Sequence, residues 1–255
     1  IDLEGELSAL SHSALRVQFG GAAGAQTAIA PHGPAITNEL AKELDLSPGA
    51  PWHTDRAPLR QIAFWATRLI TALAKIANDT ILSSRSEIGE VSAGLAGGSS
   101  PLPQKANPVT AEAILSIAAA ARGVDIGLAG AAVHAEERDG AMWAAEWFLL
   151  PQLLELTASA LRHCETLVST MKVNGAAMSD RIAANPEILA EAAVFALAPK
   201  VGRVKAQVTV KEALAKGAPL ASVMEDGVAP DPNDVIAPSK ALRDSIFAVR
   251  KTSVS

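Results

Sequence analysis

The sequence predicts an all-α fold: an elongated bundle of long helices followed by a small helical domain. Hydrophobic residues occupy 49% of the 255 positions and aromatic residues only 4%, with no Tyr. The core is therefore aliphatic and rich in Ala, which favours close-packed helices over sheets. Apolar residues also recur at spacings of three and four over long stretches, as they do on one face of an α-helix.

The first residues, IDLEGELSALSHSALRVQF, are consistent with a helix. Because the sequence starts at Ile1 rather than Met, and starts within this helix, we expect a further N-terminal domain upstream.

A first long helix is predicted from Pro58 to about Ser92. Pro58 suits the first helical turn, where a missing N–H costs nothing, and no further Gly or Pro occurs before Gly89. Roughly 30 residues of helix extend about 45 Å, which is typical of an elongated bundle. The apolar positions that define this helix include Leu59, Ile62, Ala66, Leu69, Ile70, Leu73, Ile76 and Ile81.

Residues 94–107 are predicted to form a loop, since they are rich in Gly and Pro. Asn107 followed by Pro108 signals the start of a second long helix, with Asn107 as N-cap and Pro108 in the first helical position. The helical pattern then continues from Val109 to Val133. A third long helix is predicted from Ala141 to about Lys172.

The sequence predicts two domains, a central long-helix bundle at 1–172 and a small C-terminal helical domain at 173–255. Beyond the boundary the helical stretches are shorter, near 188–197 and 202–216. They are separated by turn signals at Asn174-Gly175, Asn185-Pro186 and Gly217. The Pro-rich segment VAPDPNDVIAP, residues 228–238, is predicted to be a loop before a last short helix.

Charge and composition exclude several classes of function. The formal net charge is -5 and there is no basic tract, so we expect no nucleic-acid partner. No uninterrupted apolar run approaches the roughly 20 residues of a membrane span, so we expect no membrane association. The single cysteine, Cys164, lies in an apolar helical pattern and is predicted to be a buried thiol. A cytoplasmic location fits these features.

The predicted loop has the composition of an anion-binding site. Lys105 and the free N–H groups of the helix that follows Asn107 are able to converge on a carboxylate. Gly97 and Gly98 allow a close backbone approach or a hinge. The alternative from the residues alone is a plain connection between two helices, in which Ser99, Ser100 and Lys105 are solvated.

Residues 98–107, GSSPLPQKAN, resemble the signature GSSxMPxKxN of the fumarase/aspartase superfamily. Leu102 replaces the Met of the signature, and this apolar residue of similar size is expected to keep the packing of the loop.

The resemblance implies roles for individual residues. Ser99 is expected to transfer a proton at the carbon next to a substrate carboxylate, while Ser100, Lys105 and Asn107 hold the substrate. Glu112 matches the glutamate that partners a catalytic histidine in the superfamily. The alternative for Glu112 is a surface carboxylate favoured by the helix N-terminus.

Three further stretches resemble one branch, the bacterial 3-carboxy-cis,cis-muconate cycloisomerases. They are VQFGGAAG at 17–24, PWHTDR at 51–56 and HAEERDGAMWAAEW at 134–147. This branch forms a lactone by intramolecular addition of a carboxylate to a double bond, and Ser99 would be the proton donor. The alternatives are an adenylosuccinate or argininosuccinate lyase that releases fumarate, and a non-catalytic helical scaffold of the same fold.

The flanking stretches supply five more candidate substrate-binding residues. Gly20 and Gly21 allow close approach of a ligand, unless they are helix-packing glycines. His53 and Arg56 precede the long helix, where a cation is able to meet a carboxylate, although a solvated turn explains His53 equally well. Arg138 is selected from the charged run 134–139, which is otherwise expected to be a solvated connection. Three histidines without a surrounding motif are predicted to be structural: His12, His32 and His163.

No metal or other cofactor is expected, because the histidines are scattered and no ligand motif is present. The resemblance also implies a homotetramer in which three subunits build each active site around a small di- or tricarboxylate. The catalytic histidine is expected in the segment upstream of Ile1.

Overall fold

The computed structural model describes residues 3–92, 97–98 and 106–253, and nearly all of its regular structure is helical. The all-α prediction is therefore confirmed. The chain divides into two compact units, Ile1–Val173 and Asn174–Ser255.

Three long helices form the core of the first unit: α3 (Ala57–Ser83), α4 (Val109–Gly130) and α5 (Gly140–Thr170). Their contact faces contain many alanines, which let the helix axes approach closely. Cys164 belongs to this core, as the apolar helical pattern around it predicted, and burial raises the pKa of its thiol. The largest fully buried side chains of the bundle are Ile70, Ile114, Leu153 and Leu167.

Consecutive helices of the bundle run in opposite directions. The start of α3, the end of α4 and the start of α5 therefore meet at one end of the bundle. Arg60 at the start of α3 pairs with Asp125 near the end of α4, where Nη1 and Oδ1 are 2.7 Å apart. Gly127 of α4 lies against Leu149 of α5. We call this the arginine end, comprising residues 52–60 and 125–149 together with residues 18–21, which contact Trp52 and His53. At the opposite end, which we call the loop end and which comprises residues 80–92, 97–98, 106–112 and 170–173, Thr80 of α3 contacts Met171 just after α5.

The preceding residues form α1 (Leu3–Ala14) and α2 (Gly33–Glu43) with a short 3₁₀ turn at Thr27–Ile29. The indole Nε1 of Trp65 donates to the Leu3 carbonyl at 2.9 Å and so holds α1 against α3. The segment between α1 and α3 is mostly irregular, and it passes over the arginine end.

The first long helix is shorter than predicted, ending at Ser83 rather than near Ser92. Gly89 has a φ of +64°, a left-handed conformation that no helix continues. Two-residue strands follow: β1 (Val91–Ser92) pairs antiparallel with β4 (Lys172–Val173). Turns at residues 84–90 and the long-range pairing of residues 91–92 therefore replace the end of the predicted helix.

The predicted N-cap of the second long helix is also wrong. Asn107 lies in the short strand β3 (Ala106–Asn107), which pairs with β2 (Gly97–Gly98), and Pro108 is the N-cap residue, without a side-chain capping bond. Pairing with β2 holds Asn107 in an extended conformation. The helix ends at Gly130, three residues before the predicted Val133.

The second unit contains α6 (Gly175–Ala184), α7 (Ala190–Val201), α8 (Arg203–Ala215) and α9 (Pro232–Ser253). Short 3₁₀ turns lie at Pro186–Leu189 and Leu220–Val223. Its small core is built by buried residues of α7, α8 and the two turns: Leu189, Ala193, Leu197, Ala206, Val210 and Leu220.

Two turn signals in this unit prove to be helix starts. Asn174 caps α6, its Oδ1 accepting from the Ala177 N–H at 3.2 Å. The predicted loop at 228–238 is wrong from Pro232 onward, because α9 begins there and extends for 22 residues with Pro238 inside it. Pro fits the first helical position, so a Pro-rich stretch marks the beginning of a helix as readily as a loop.

Within the described residues, α4 is the single helix that is long and apolar enough to cross a membrane, judged by length and composition alone. Its apolar residues pack against α3 and α5. The core helix of a helical bundle has the same composition.

Candidate functional site

The loop end contains the Gly- and Ser-rich signature. Ser99, Ser100 and Lys105 lie outside the described residues. On either side of them, Gly97 pairs with Asn107 and Gly98 pairs with Ala106. The half-buried Asn107 is thus placed beside the glycines that begin the signature.

Glu112 lies in the first turn of α4, close to the loop, and its side chain is exposed. The helix N-terminus stabilises a carboxylate at this position. The partnership of Glu112 with a histidine stays a prediction.

Arg56 and Glu146 form a buried ion pair at the arginine end. Arg56 Nε donates to Glu146 Oε1 at 2.8 Å and Nη2 donates to Oε2, while only 6% of each side chain is exposed. Such a bidentate geometry is the strongest form of this pair. Arg56 Nη1 also donates to the carbonyls of Trp52 and His53, so Arg56 ties the turn before α3 to α5.

The hydrogen bonds of His53 define its tautomer. Its Nε2 lies 2.7 Å from the Gly21 carbonyl, which only accepts, so Nε2 carries the proton. Its Nδ1 accepts from Gln18 Nε2 at 2.9 Å, and Gln18 Oε1 accepts from the Trp52 N–H at 2.9 Å. Through these bonds His53 holds the glycine segment, rather than being a free side chain on a solvated turn.

Gly20 and Gly21 lie in an irregular segment, so helix packing does not explain them. A Cβ on Gly20 would lie 2.6 Å from His53 Cε1 and 2.8 Å from Pro51 Cβ, far closer than normal contact. Gly21 has a φ of +72°, which favours glycine. Both glycines thus allow the chain to pass against His53.

The charged run 134–139 is not simply a solvated connection, which corrects the expectation from the sequence. Only 1% of the His134 side chain is exposed, and its Nε2 lies 3.7 Å from Glu146 Oε1. Arg138 is exposed, and its guanidinium lies 4.6 Å from the centre of the Trp143 ring.

Asp139 ends this run as the N-cap of α5. Its carboxylate accepts hydrogen bonds from the backbone N–H groups of Ala135, Ala141 and Met142 at 3.0 to 3.3 Å. Donation from Met142, then from Ala135, holds the pKa of Asp139 below its ordinary value.

A cavity of about 90 Å³ lies between these groups. Its walls come from the segment before α3, from the connection between α4 and α5, and from the first turn of α5. They are formed by Gln18, Trp52, His53, Arg56, His134, Arg138 and Trp143.

The structure thus gathers Gly20, Gly21, His53, Arg56 and Arg138 at the arginine end, and it places Asn107 and Glu112 at the loop end. The 27 residues of α3 separate the two ends by about 40 Å. One chain therefore does not bring the two sets of candidate residues together.

Sequence reasoning missed three residues of the arginine end: Gln18, His134 and Glu146. Glu146 carried a usable signal, since it lies seven residues before Leu153 and eleven before Thr157, on the buried face of α5. An acid on an apolar face requires a buried partner. Gln18 and His134 carried no comparable signal.

Comparisons with known proteins agree with this architecture. A family model described as Lyase matches residues 3–123. The 3-carboxy-cis,cis-muconate cycloisomerase of Bradyrhizobium diazoefficiens is 38% identical over 202 residues, which cover 77% of this chain and 45% of that protein. The cycloisomerase of the same name from Acinetobacter baylyi is 34% identical over 212 residues, covering 81% of this chain and 47% of that protein.

The fold is similar to that of a solved enzyme. The crystal structure of the 3-carboxy-cis,cis-muconate lactonizing enzyme from Pseudomonas putida matches with a TM-score of 0.73 and 32% identity, covering 88% of this chain and 52% of that one. The chain spans about half the length of the curated relatives it matches.

Proposed function

Because this chain belongs to the fumarase/aspartase superfamily, we propose that the protein of which it is part is a cycloisomerase. Its substrate would be 3-carboxy-cis,cis-muconate or a similarly substituted muconate, and its product a muconolactone. The observation that carries this proposal is the 38% identity, over 77% of the chain, to an enzyme of that name. The signature at residues 98–107 supports it.

The proposed reaction is an isomerisation in which every atom of the substrate is retained. A carboxylate oxygen of the substrate attacks a carbon of the diene and forms the C–O bond of the lactone. The displaced π electrons move into a second carboxylate and give an enolate-like intermediate. Ser99 then donates its hydroxyl proton to the carbon next to that carboxylate, and a proton from the medium restores the serine.

The intermediate requires fixed positive groups and hydrogen-bond donors around its extra charge. Lys105 would supply the charge, while Ser100 and Asn107 would supply donors. The N-terminus of α4 adds a favourable dipole close to Asn107. Glu112 would orient a histidine contributed by another part of the protein.

We also propose that the protein is a homotetramer with shared active sites. The separation of about 40 Å between the two ends supports sharing, because the arginine end of one chain is then free to meet the loop end of another. A stripe of exposed apolar residues on α5 supports self-association. It consists of Trp147, Leu154, Leu161 and Val168, which are 43–62% exposed and recur every seven residues.

The complete polypeptide should remove the ultraviolet absorbance of 3-carboxy-cis,cis-muconate. In Ser99→Ala the rate should fall by roughly 10²- to 10⁴-fold, the usual contribution of a positioned proton donor. A matched control is Ser169→Ala, since the Ser169 hydroxyl donates only to the Thr166 carbonyl within α5. A full rate in Ser99→Ala would remove Ser99 from the mechanism.

Adenylosuccinate and argininosuccinate should be assayed beside the muconate. Release of fumarate from either, without lactone formation, would replace the cycloisomerase by an elimination. If no di- or tricarboxylate is bound at millimolar concentration, the protein is a non-catalytic scaffold of the same fold.

A further inference from the structure

The imidazole of His134 is buried, and its two ring nitrogens lack hydrogen-bond partners within the described part of the chain. Its side chain is 1% exposed, yet neither Nδ1 nor Nε2 has a hydrogen-bond partner among the residues that the structure describes. An imidazole carries at least one N–H donor, and a buried donor without a partner is unfavourable. A partner outside the chain would resolve this problem.

The carboxylate of Glu146 does not satisfy His134. Its closest oxygen is 3.7 Å from Nε2, beyond the range of a hydrogen bond. Glu146 already accepts two bonds from Arg56. The carboxylate of Asp139 also already accepts hydrogen bonds, in its case from three backbone N–H groups.

The cavity beside His134 is suited to an anion. Arg56 and Glu146 neutralise each other, whereas Arg138 adds a positive charge to the wall.

The cavity is also small. At about 90 Å³ it has room for one carboxylate group, and it is well below the roughly 300 Å³ of a pocket that encloses a whole ligand. An occupant would therefore insert one acidic group and leave its remaining atoms outside.

We infer that this cavity binds one carboxylate group of a small organic acid, with His134 as hydrogen-bond donor and Arg138 as charge partner. The inference rests on the proposed function, in which the substrate carries several carboxylates. It adds His134 to the substrate-contacting residues and assigns the arginine end to recognition of a carboxylate. The reacting carbon then lies with the loop end of another chain.

Binding should be measured with succinate as the probe. Trp52 and Trp143 line the cavity, so bound succinate should change tryptophan fluorescence, and the ¹⁵N signals of the His134 ring should shift. Acetate should shift the same ring signals at higher concentration. Acetamide, its neutral analogue of equal size, should not.

His134→Leu removes the donor and keeps an apolar side chain in the buried position. Its dissociation constant for succinate should rise about tenfold or more, the usual effect of losing a hydrogen bond to a charged group. His134→Gln keeps a donor and should stay within about threefold of the unchanged protein. The matched control is His163→Gln, because His163 bonds only to the Ser159 carbonyl of its own helix.

Unchanged succinate binding in His134→Leu, with unchanged circular dichroism and melting temperature, would overturn the inference. An equal shift with acetamide would also overturn it, since the site would not select an anion. Both of these outcomes are distinct from failure of the proposed function. A protein that binds succinate through His134 but forms no lactone contradicts only the reaction, and lactone formation with unchanged KM in His134→Leu contradicts only the cavity.

Discussion

At the scale of single residues, the Arg56–Glu146 pair organises the arginine end. A buried ion pair adds little net stability relative to an apolar pair, because both charges lose their hydration. Its effect is on arrangement: Arg56 holds the Trp52–His53 turn, and His53 holds Gly21. The candidate binding residues are thereby fixed relative to α5.

Removing one charge of this pair should be strongly destabilising. Glu146→Gln keeps the shape of the side chain but leaves Arg56 buried without its counter-charge. We expect the free energy of unfolding to fall by about 3–5 kcal/mol, measured by urea denaturation. The matched control is Glu39→Gln, which breaks the exposed pair with Lys42 and should change stability by about 0.5 kcal/mol or less. Equal effects of the two substitutions would contradict the argument.

Individual residues also show where sequence reasoning stops. Gly20, Gly21, His53, Arg56 and Arg138 were selected from the sequence, and the structure brings them together. Their contacts were not deducible, however, because Arg56 and Glu146 are separated by 90 residues. A motif identifies a residue type at a position, whereas its partner depends on which helices pack together.

At the scale of elements, the start of α5 depends on Asp139. The pKa of Asp139 is lowered in the folded chain by the N–H groups of Met142, Ala135 and Ala141. A carboxyl with a lowered folded pKa stabilises the fold above its ordinary pKa, and this contribution is lost as the pH falls through the folded value.

This dependence on pH predicts a difference in the free energy of unfolding between the chain with Asp139 and a variant with an uncharged N-cap. Asp139→Asn keeps an N-cap acceptor but does not titrate. Relative to this variant, the unchanged chain should be more stable at pH 7, and the difference should shrink as the pH falls below about 4. Urea midpoints at pH 7 and pH 3 measure it. A difference that stays constant with pH would show that the charge of Asp139 contributes nothing.

The boundaries of elements were less predictable than their existence. Each of the three long helices follows from its apolar periodicity, but α3 ends at Ser83, and residues 91–92 of the segment beyond it pair with residues 172–173. Such a pairing joins distant parts of the chain and leaves no periodic trace. α9 begins at Pro232 because Pro is compatible with a first turn, and local composition does not distinguish that turn from a loop.

At the scale of the whole molecule, the candidate residues occupy both ends of the long-helix bundle. The two sets of residues that we propose to act on one substrate lie about 40 Å apart along α3. The exposed stripe on α5 offers a surface through which chains would associate and bring opposite ends together.

Charges placed on this stripe should disrupt assembly. In the complete polypeptide carrying Leu154→Glu and Leu161→Glu, we expect a smaller particle by light scattering, with helical content retained and lactone formation lost. A glutamate between apolar surfaces would be desolvated without a partner. Gln152→Glu, at an exposed polar position of the same helix, is the control and should leave the mass unchanged. A double variant with unchanged mass would exclude this face from the interface.

The sequence by itself determined the helical class, the long bundle helices, the buried Cys164 and the signature motif at residues 98–107, because each is encoded in local composition and spacing. Only the tertiary structure decided that His134 is buried beside a cavity, that Glu146 neutralises Arg56, and that the two candidate clusters occupy opposite ends. The physical reason is that periodicity specifies which face of a helix is apolar. Which distant side chains meet across that face depends on how the helices pack.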